Sequence, residues 1–240
     1  MEDYNFKLYS KLGRDFWYVK SRQDLLKGIL GKAFRKKNLK ILDAGCGTGF
    51  NFEALHEFGD VYGVDLNKNA IAQCKNLGYK KLEQKDAAKL GYKNFFDAVV
   101  AVELIEHIDD DFSAVQKLCQ YLKPDSLLVL TVPAHKFLWS ADDVLAMHKR
   151  RYSKQRLRKL VQKSGFRIKY LGYRYFFLFL PAIAVFIMQK FGKKKKNSLE
   201  STPKFLNKVL LKLMSAENKL ILKGFRLLFG AGLICIARKN

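Results

Sequence analysis

An acidic residue and three glycines follow an apolar stretch near position 40, at a spacing that suits ligand binding. Asp43 ends the stretch, and Gly45, Gly47 and Gly49 precede a segment with helical spacing. Glycine tolerates backbone conformations that other residues avoid, and it lets a ligand approach the main chain closely. The first turn of a helix also presents free N–H groups. The pattern therefore predicts a buried strand, a tight ligand-binding turn and the start of a helix.

The spacing of these residues leaves two classes of ligand to consider. A dinucleotide pyrophosphate is bound by a G-x-G-x-x-G turn, but here a single residue separates the last two glycines, and the Asp43 carboxylate would repel a phosphate. An acid at this place suits a cationic group, such as the ammonium of an amino acid. A second predicted strand ends in Asp65, and an acid there hydrogen-bonds ribose hydroxyls. A ligand with an amino acid at one end and a nucleoside at the other is S-adenosylmethionine (SAM).

The segments LDAGCGTG and GVDL resemble the first two motifs of class I SAM-dependent methyltransferases. Two further segments, QKDAA and FDAVVAVELIEHI, follow in the order of that family. The resemblance implies an α/β fold: a Rossmann-like, seven-stranded methyltransferase sheet with helices on both faces and an antiparallel final strand. An NAD-binding domain of similar architecture, or a cofactor site that has lost its function, is the alternative.

The resemblance also implies a role for each matching position, with S-adenosylhomocysteine as the product. The implied cofactor-binding residues lie in the four motifs: Asp43, Gly45, Gly47 and Gly49 around the methionine end, Asp65 and Leu66 at the ribose, Asp86 and Ala87 beside the adenine, and Val102 and Glu103 next to the methyl group.

Strand and helix patterns alternate along the remaining chain, which predicts a parallel sheet wound on both faces. We expect the methyltransferase core over 38–173 and 227–240, with N-terminal lid helices over 1–37. Trp17 and Arg22 could close over the cofactor, with Arg22 pairing with its carboxylate. A helix that merely packs through its aromatic residues is the alternative.

A loop over 133–152, between the fifth strand and the next helix, is rich in reactive side chains. Loops at the carboxyl ends of strands build the ligand crevice of open α/β sheets. Because the sulfonium is already an electrophile, the acceptor needs mainly positioning, and a hydroxyl acceptor also needs a base. Histidine titrates near neutrality, so His148 is the predicted catalytic base and His107 the second candidate. Either histidine could instead have only a structural role.

The same loop supplies the residues predicted to contact the acceptor. These are His135, Arg150, Arg151 and Tyr152. The arginines suit an anionic group such as a phosphate, although they could equally cap a helix or pair with Asp142 and Asp143. Together with FWYVKSR near the start, the loop resembles a subgroup of methyltransferases linked to lipid, quinone or polyprenyl-glycan pathways.

An insertion over 174–226 carries apolar and basic residues at helical spacing. Residues 175–188 are uncharged, too few for a spanning helix, and Lys193–Lys196 follow. Residues 141–240 contain 24 Lys and Arg against four Asp and Glu, within a chain of net charge +23. Basic amphipathic helices beside an apolar wedge indicate association with an anionic membrane surface. A helix that covers the sheet or binds a second copy is the alternative.

These observations predict a SAM-dependent methyltransferase that modifies a hydroxyl on a lipid-linked or membrane-embedded acceptor, such as a quinone precursor or a polyprenyl-linked sugar. The enzyme would be cytoplasmic and peripheral on the inner membrane face. Methylation of RNA by the basic half, or a non-catalytic scaffold, is the alternative. The four scattered cysteines and the histidines show no metal-ligand spacing, so no metal site is predicted, and the oligomeric state stays open.

Overall fold

The computed structural model describes residues 10, 12–35, 37–190 and 202–240. In this part of the chain, seven strands form one sheet: β1 (Leu39–Ala44), β2 (Gly59–Asp65), β3 (Lys81–Gln84), β4 (Phe96–Val102), β5 (Leu122–Pro133), β6 (Phe166–Arg174) and β7 (Gly232–Lys239). Their order across the sheet is β3-β2-β1-β4-β5-β7-β6, and β7 runs antiparallel to both neighbours. The predicted seven-stranded methyltransferase sheet with an antiparallel last strand is therefore confirmed.

Helices cover both faces of the sheet. The described helices are α1 (Trp17–Ala33), α2 (Phe52–His56), α3 (Lys68–Cys74), α4 (Asp111–Tyr121), α5 (Ala141–Leu145), α6 (Lys154–Lys163), α7 (Phe179–Lys190) and α8 (Lys204–Leu222). Apolar residues of α4 and α6 join one buried cluster with the sheet. Apolar residues of α1, α2 and α8 join the cluster on the opposite face. Because β1 and β4 are buried from both sides, their sequences are almost continuously apolar.

The parallel strands β1, β2, β3, β4 and β5 end at the same edge of the sheet. In open α/β sheets this carboxyl edge is where ligands bind. The acidic, glycine and histidine residues singled out from the sequence follow these strand ends, so the fold brings separate motifs to one edge.

The boundary between α4 and β5 differs from the prediction. The sequence predicts that Lys123-Pro124-Asp125 separate a helix from a strand that begins at Leu127. In the structure β5 begins directly at Leu122, which pairs with Phe96 of β4 before the register shifts. Pro124 lies in this irregular segment, where the absence of a backbone N–H does not interrupt a regular ladder.

The insertion between β6 and β7 contains α7 and α8, and α8 packs against α1. The Asn218 side chain donates to the carbonyl of Ser21 in α1 at 2.7 Å. Buried Glu217 accepts hydrogen bonds from the backbone N–H groups of Tyr175 at 2.6 Å and Phe176 at 2.8 Å. The predicted lysine run Lys193–Lys196 lies outside the described residues. Among the described residues, no helix combines the length and apolarity needed to cross a bilayer.

We expect Glu217→Ala to lower the free energy of unfolding by about 2–4 kcal/mol, because it leaves two backbone N–H groups without their acceptor in a buried place. Urea denaturation followed by circular dichroism would measure this loss. Glu57→Ala serves as the matched control, since Glu57 is exposed and only pairs with Lys27, and its loss should stay below about 1 kcal/mol. Equal losses in the two variants would contradict the role given to Glu217.

Candidate active site

The glycine turn after β1 has the conformation that its sequence predicts. Gly45, Gly47 and Gly49 all have positive φ angles, of 72°, 55° and 77°, a region that side chains with a Cβ atom disfavour. The turn is held by Asp65 at the end of β2. One carboxylate oxygen of Asp65 accepts from the N–H of Gly47 and the other from the N–H of Asn67, both at 2.9 Å. Asp65 therefore fixes the turn, and its contact with ribose stays a prediction.

Asp43 lies fully buried beneath the turn. Its carboxylate accepts hydrogen bonds from the Asn51 amide at 2.8 Å and from the Tyr79 hydroxyl at 2.9 Å. Burial raises the pKa of Asp43 to about 6, although these two hydrogen bonds and the nearby Arg22 guanidinium oppose the shift. In this structure Asp43 thus connects the turn to neighbouring elements, and its contact with the ammonium of the cofactor stays a prediction.

Several buried polar atoms around the turn have no hydrogen-bond partner among the described residues. These atoms are Trp17 Nε1, Arg22 Nε, Thr48 Oγ1 and Asn51 Oδ1. Buried polar groups almost always have partners, so this set points to a polar ligand. Two N–H donors, a hydroxyl and an amide oxygen fit the carboxylate and ammonium of an amino acid, which supports the predicted roles of Trp17 and Arg22 in binding SAM.

Aromatic rings surround the Arg22 guanidinium. Its central carbon lies 5.1 Å from the centroid of the Tyr18 ring and 5.9 Å from that of Phe50. The Tyr18 ring is stacked on Tyr175, which follows β6, with centroids 6.0 Å apart. The N-terminal helix, the glycine turn and the start of the insertion therefore meet around one arginine.

The residues predicted beside the adenine and the methyl group lie at the same edge. Asp86 caps a short 3-10 helix through a 2.8 Å bond to the N–H of Ala88, and Ala87 is buried. Leu66 is exposed just after β2. Val102 ends β4, and Glu103 follows with a φ of 49° while accepting a hydrogen bond from Thr131 at 3.0 Å. Their contacts with SAM stay predictions.

A cluster of metal-ligating side chains lies beside Glu103. Glu106, His107 and His148 each offer a ligand atom, and these atoms lie within 4.8 Å of one another. Glu106 is fully buried, and its carboxyl group shares a side-chain hydrogen bond with that of Glu103. The absence of a metal site stays a prediction, but the fold brings together residues separated by about 40 positions, which spacing in the sequence did not indicate. Carboxylate and imidazole groups together suit a divalent cation.

Asp143 orients His148 within this cluster. Nδ1 of His148 lies 2.8 Å from the Asp143 carboxylate, which Arg151 contacts through two nitrogens, also at 2.8 Å. Burial alone would raise the pKa of Asp143, but the bonds from His148 and Arg151 prevail and lower it to about 2. The ionised Asp143 holds the proton on Nδ1, so Nε2 of His148 is available to a metal or to a proton. Such a carboxylate partner is typical of metal-binding histidines.

His107 is less suited to act as a base. Burial, followed by the neighbouring His148, lowers the pKa of His107 to about 4, so it stays neutral near pH 7 and accepts a proton weakly. Burial and the charge of Glu103 raise the pKa of Glu106 well above its ordinary value. Of the two predicted catalytic histidines, the geometry favours His148.

The residues predicted to contact the acceptor have mostly structural roles. Tyr152 is fully buried and donates to Asp111 at 2.8 Å, so its predicted contact with the acceptor is wrong. Arg151 pairs with Asp143, as the alternative expected, and Arg150 pairs with Asp111 at 3.2 Å. His135 follows β5 with a φ of 61° and stacks on Tyr173, with centroids 5.1 Å apart. For His135 a role towards the acceptor stays a prediction.

Sequence reasoning missed Thr48, Asn51, Glu106 and the orienting role of Asp143. Thr48 and Asn51 are adjacent to the glycines, so their position in the turn was the available signal. Glu106 and His107 stand side by side after β4, and an acid–histidine pair at a strand end was the signal for a cation site.

We expect Arg22→Gln to weaken binding of S-adenosylhomocysteine at least about tenfold, because a charge-assisted hydrogen bond to the ligand carboxylate is lost. Isothermal titration calorimetry would measure both dissociation constants. The control ligand is 5′-methylthioadenosine, which lacks the amino-acid part and should bind both proteins alike. If the affinity for 5′-methylthioadenosine falls equally, Arg22 does not contact the carboxylate.

Comparisons with known proteins agree with this geometry. A family model described as a methyltransferase domain matches residues 18–171. The human mitochondrial ubiquinone biosynthesis O-methyltransferase is 36% identical over 124 residues, which cover 46% of this chain and 33% of that protein. The chain spans between a third and a half of the length of the curated relatives it matches.

Solved structures show the same fold at low sequence identity. A SAM-dependent methyltransferase from Archaeoglobus fulgidus superposes with a TM-score of 0.56 at 18% identity, covering 90% of this chain and 94% of the other. Phosphoethanolamine N-methyltransferase 2 from Haemonchus contortus, solved with SAM, gives 0.58 at 20% identity, covering 90% and 52%. From the family match, we conclude that this chain belongs to the methyltransferase-domain family, and it has the fold of SAM-dependent methyltransferases.

Proposed function

We propose that this chain transfers a methyl group from SAM to a hydroxyl oxygen of a lipid-linked or membrane-embedded acceptor, such as a quinone precursor or a polyprenyl-linked sugar. We further propose that Glu106, His107 and His148 hold a divalent cation beside that hydroxyl. The observation that carries this proposal is the fully buried Glu106 carboxyl group, which offers a ligand atom within 4.8 Å of one from His107 and one from His148.

SAM supplies an electrophilic methyl group, so the protein must position an oxygen nucleophile and remove its proton. The new O–CH₃ bond would form as the S–CH₃ bond breaks to leave S-adenosylhomocysteine, and the hydroxyl proton would pass to His148 or, where His148 holds a cation, to solvent water. A bound cation lowers the pKa of a coordinated hydroxyl, as it does for water. His148, oriented by Asp143, contributes as a ligand of that cation; without a cation it would be the base. Metal dependence of the reaction distinguishes these two roles.

The relatives support oxygen as the methylated atom. The relatives named ubiquinone biosynthesis O-methyltransferases match only part of this chain. Methylation of a similar acceptor by this chain is therefore a proposal. An acceptor with two neighbouring hydroxyls, such as a catechol or a sugar diol, would suit a cation because both oxygens can coordinate it.

We expect the wild-type protein to bind Mn²⁺ in calorimetry and Glu106→Gln to lose this binding, because the carboxyl group can release its proton to become an anionic ligand and the amide cannot. Asp143→Asn should weaken binding by about 10- to 100-fold, since it releases the orientation of His148. His135→Asn, a histidine at the same edge but outside the cluster, is the matched control. An unchanged Mn²⁺ affinity in Glu106→Gln would exclude the proposed cation site.

We expect radioactive methyl groups from SAM to enter a lipid extract rather than tRNA, in a reaction that a chelator stops and Mg²⁺ or Mn²⁺ restores. Gly47→Arg should abolish labelling, because a side chain at this positive-φ glycine fills the cofactor turn. Labelling of tRNA alone would support the alternative of an RNA methyltransferase. SAM binding without labelling of either acceptor pool would favour a scaffold over an enzyme.

A further inference from the structure

Large apolar side chains stand exposed around the candidate active site. We define the apolar rim as Phe137, Phe177, Leu180, Leu228 and Phe229, of which Leu228 is 84%, Leu180 70% and Phe137 58% exposed. Scattered apolar residues are normal at a protein surface, whereas a contiguous apolar patch marks an interaction site. These five residues therefore indicate an interaction site only if they are contiguous.

Ring contacts connect Phe137 and Phe229 of the rim, and Leu180 and Leu228 are the chain neighbours of Phe179 and Phe229. The ring of His135 lies 5.1 Å from that of Phe137 and 5.3 Å from that of Phe179, measured between centroids. Phe229 in turn lies 5.1 Å from Phe179 and 4.6 Å from Phe176. The loop after β5, the start of the insertion and the segment before β7 thus form one apolar surface.

The apolar rim lies at the edge of the sheet that carries the active site. Pro133 at the end of β5 pairs with Gly232 at the start of β7, and Gly232 also pairs with Arg174 at the end of β6. Phe137 lies four residues beyond Pro133, and Phe229 three residues before Gly232. The helix α5, which precedes His148, adds exposed Val144 and Leu145 near this edge.

The charge of the surrounding chain indicates the kind of partner. Residues 141–240 hold 24 basic against four acidic residues, and Lys193–Lys196 stand between α7 and α8 in the sequence. A second copy would bring two strongly positive surfaces together, which is unfavourable. A bilayer with anionic lipids offers an apolar interior to the rim and a negative surface to the lysines.

We propose that the apolar rim inserts into the surface of an anionic membrane leaflet, so that the active-site edge faces the bilayer. This docking surface extends beyond the insertion to Phe137 in the β5 loop. The inference that an acceptor enters the site directly from the leaflet rests on the proposed function. The docking proposal does not rest on the proposed function, because vesicle binding is measured without any methyl transfer.

The test is flotation of the full-length chain with vesicles of phosphatidylcholine alone and of phosphatidylcholine with phosphatidylglycerol. We expect binding that requires phosphatidylglycerol and falls at least about tenfold in the double variant Leu180→Glu, Leu228→Glu. Phe112→Glu, an exposed apolar residue in α4 outside the rim, is the matched control and should bind like the wild type. Calorimetry with S-adenosylhomocysteine would show that each variant keeps its folded cofactor site.

A second measurement tests whether the apolar rim enters the leaflet, and it does not depend on the folding of the charged variants. Leu228→Trp should be quenched by brominated lipids in anionic vesicles, and Phe112→Trp should not. Equal flotation of the wild type and the double variant would overturn the proposal. So would a dimer in light scattering that the double variant converts to a monomer, because the rim would then hold a second copy. Vesicle binding without methyl transfer would leave the docking intact and refute only the proposed function.

Discussion

A carboxylate removed from water needs a proton, a hydrogen bond or a cation, and fully buried Glu106 lies against a second acid, Glu103, which raises its pKa further. Around it the chain has arranged two histidines, a second acid at Glu103 and, through His148, the Asp143–Arg151 pair. Acidic side chains thus cluster at the carboxyl edge although the chain as a whole is strongly basic. The edge is therefore suited to a positively charged group, both at the cation cluster and at the sulfonium of SAM.

The cofactor half of this edge could be predicted from the sequence because its determinants are local. Three glycines with positive φ, the acid before them and the acid that ends β2 lie within a single strand–turn–helix–strand unit. Spacing alone then specifies which backbone groups meet. The same reasoning extends to the strand order, since alternating strands and helices leave few ways to wind a parallel sheet.

The acceptor half could not be predicted in the same way, because its contacts are distant in sequence. Glu106 and His148 meet only after β5 and α5 have been placed, and the lowered pKa of His107 depends on burial. Tyr152 shows the reverse error: its type suggested an acceptor contact, but the packing of α6 against α4 places its hydroxyl on Asp111. A polar residue in a reactive-looking loop is assigned correctly only when its burial is known.

The bond between Glu217 and Tyr175 has a thermodynamic consequence for the whole chain. Glu217 of α8 fixes the backbone of Tyr175, and the Tyr175 ring is stacked on Tyr18, which lies over the Arg22 guanidinium. The insertion and the amino-acid end of the cofactor site therefore share one set of contacts. By linkage, whatever strengthens one of these two must strengthen the other by the same coupling free energy. A surface that binds the insertion would then change the affinity of the protein for its cofactor, and a bound cofactor would change the affinity for that surface.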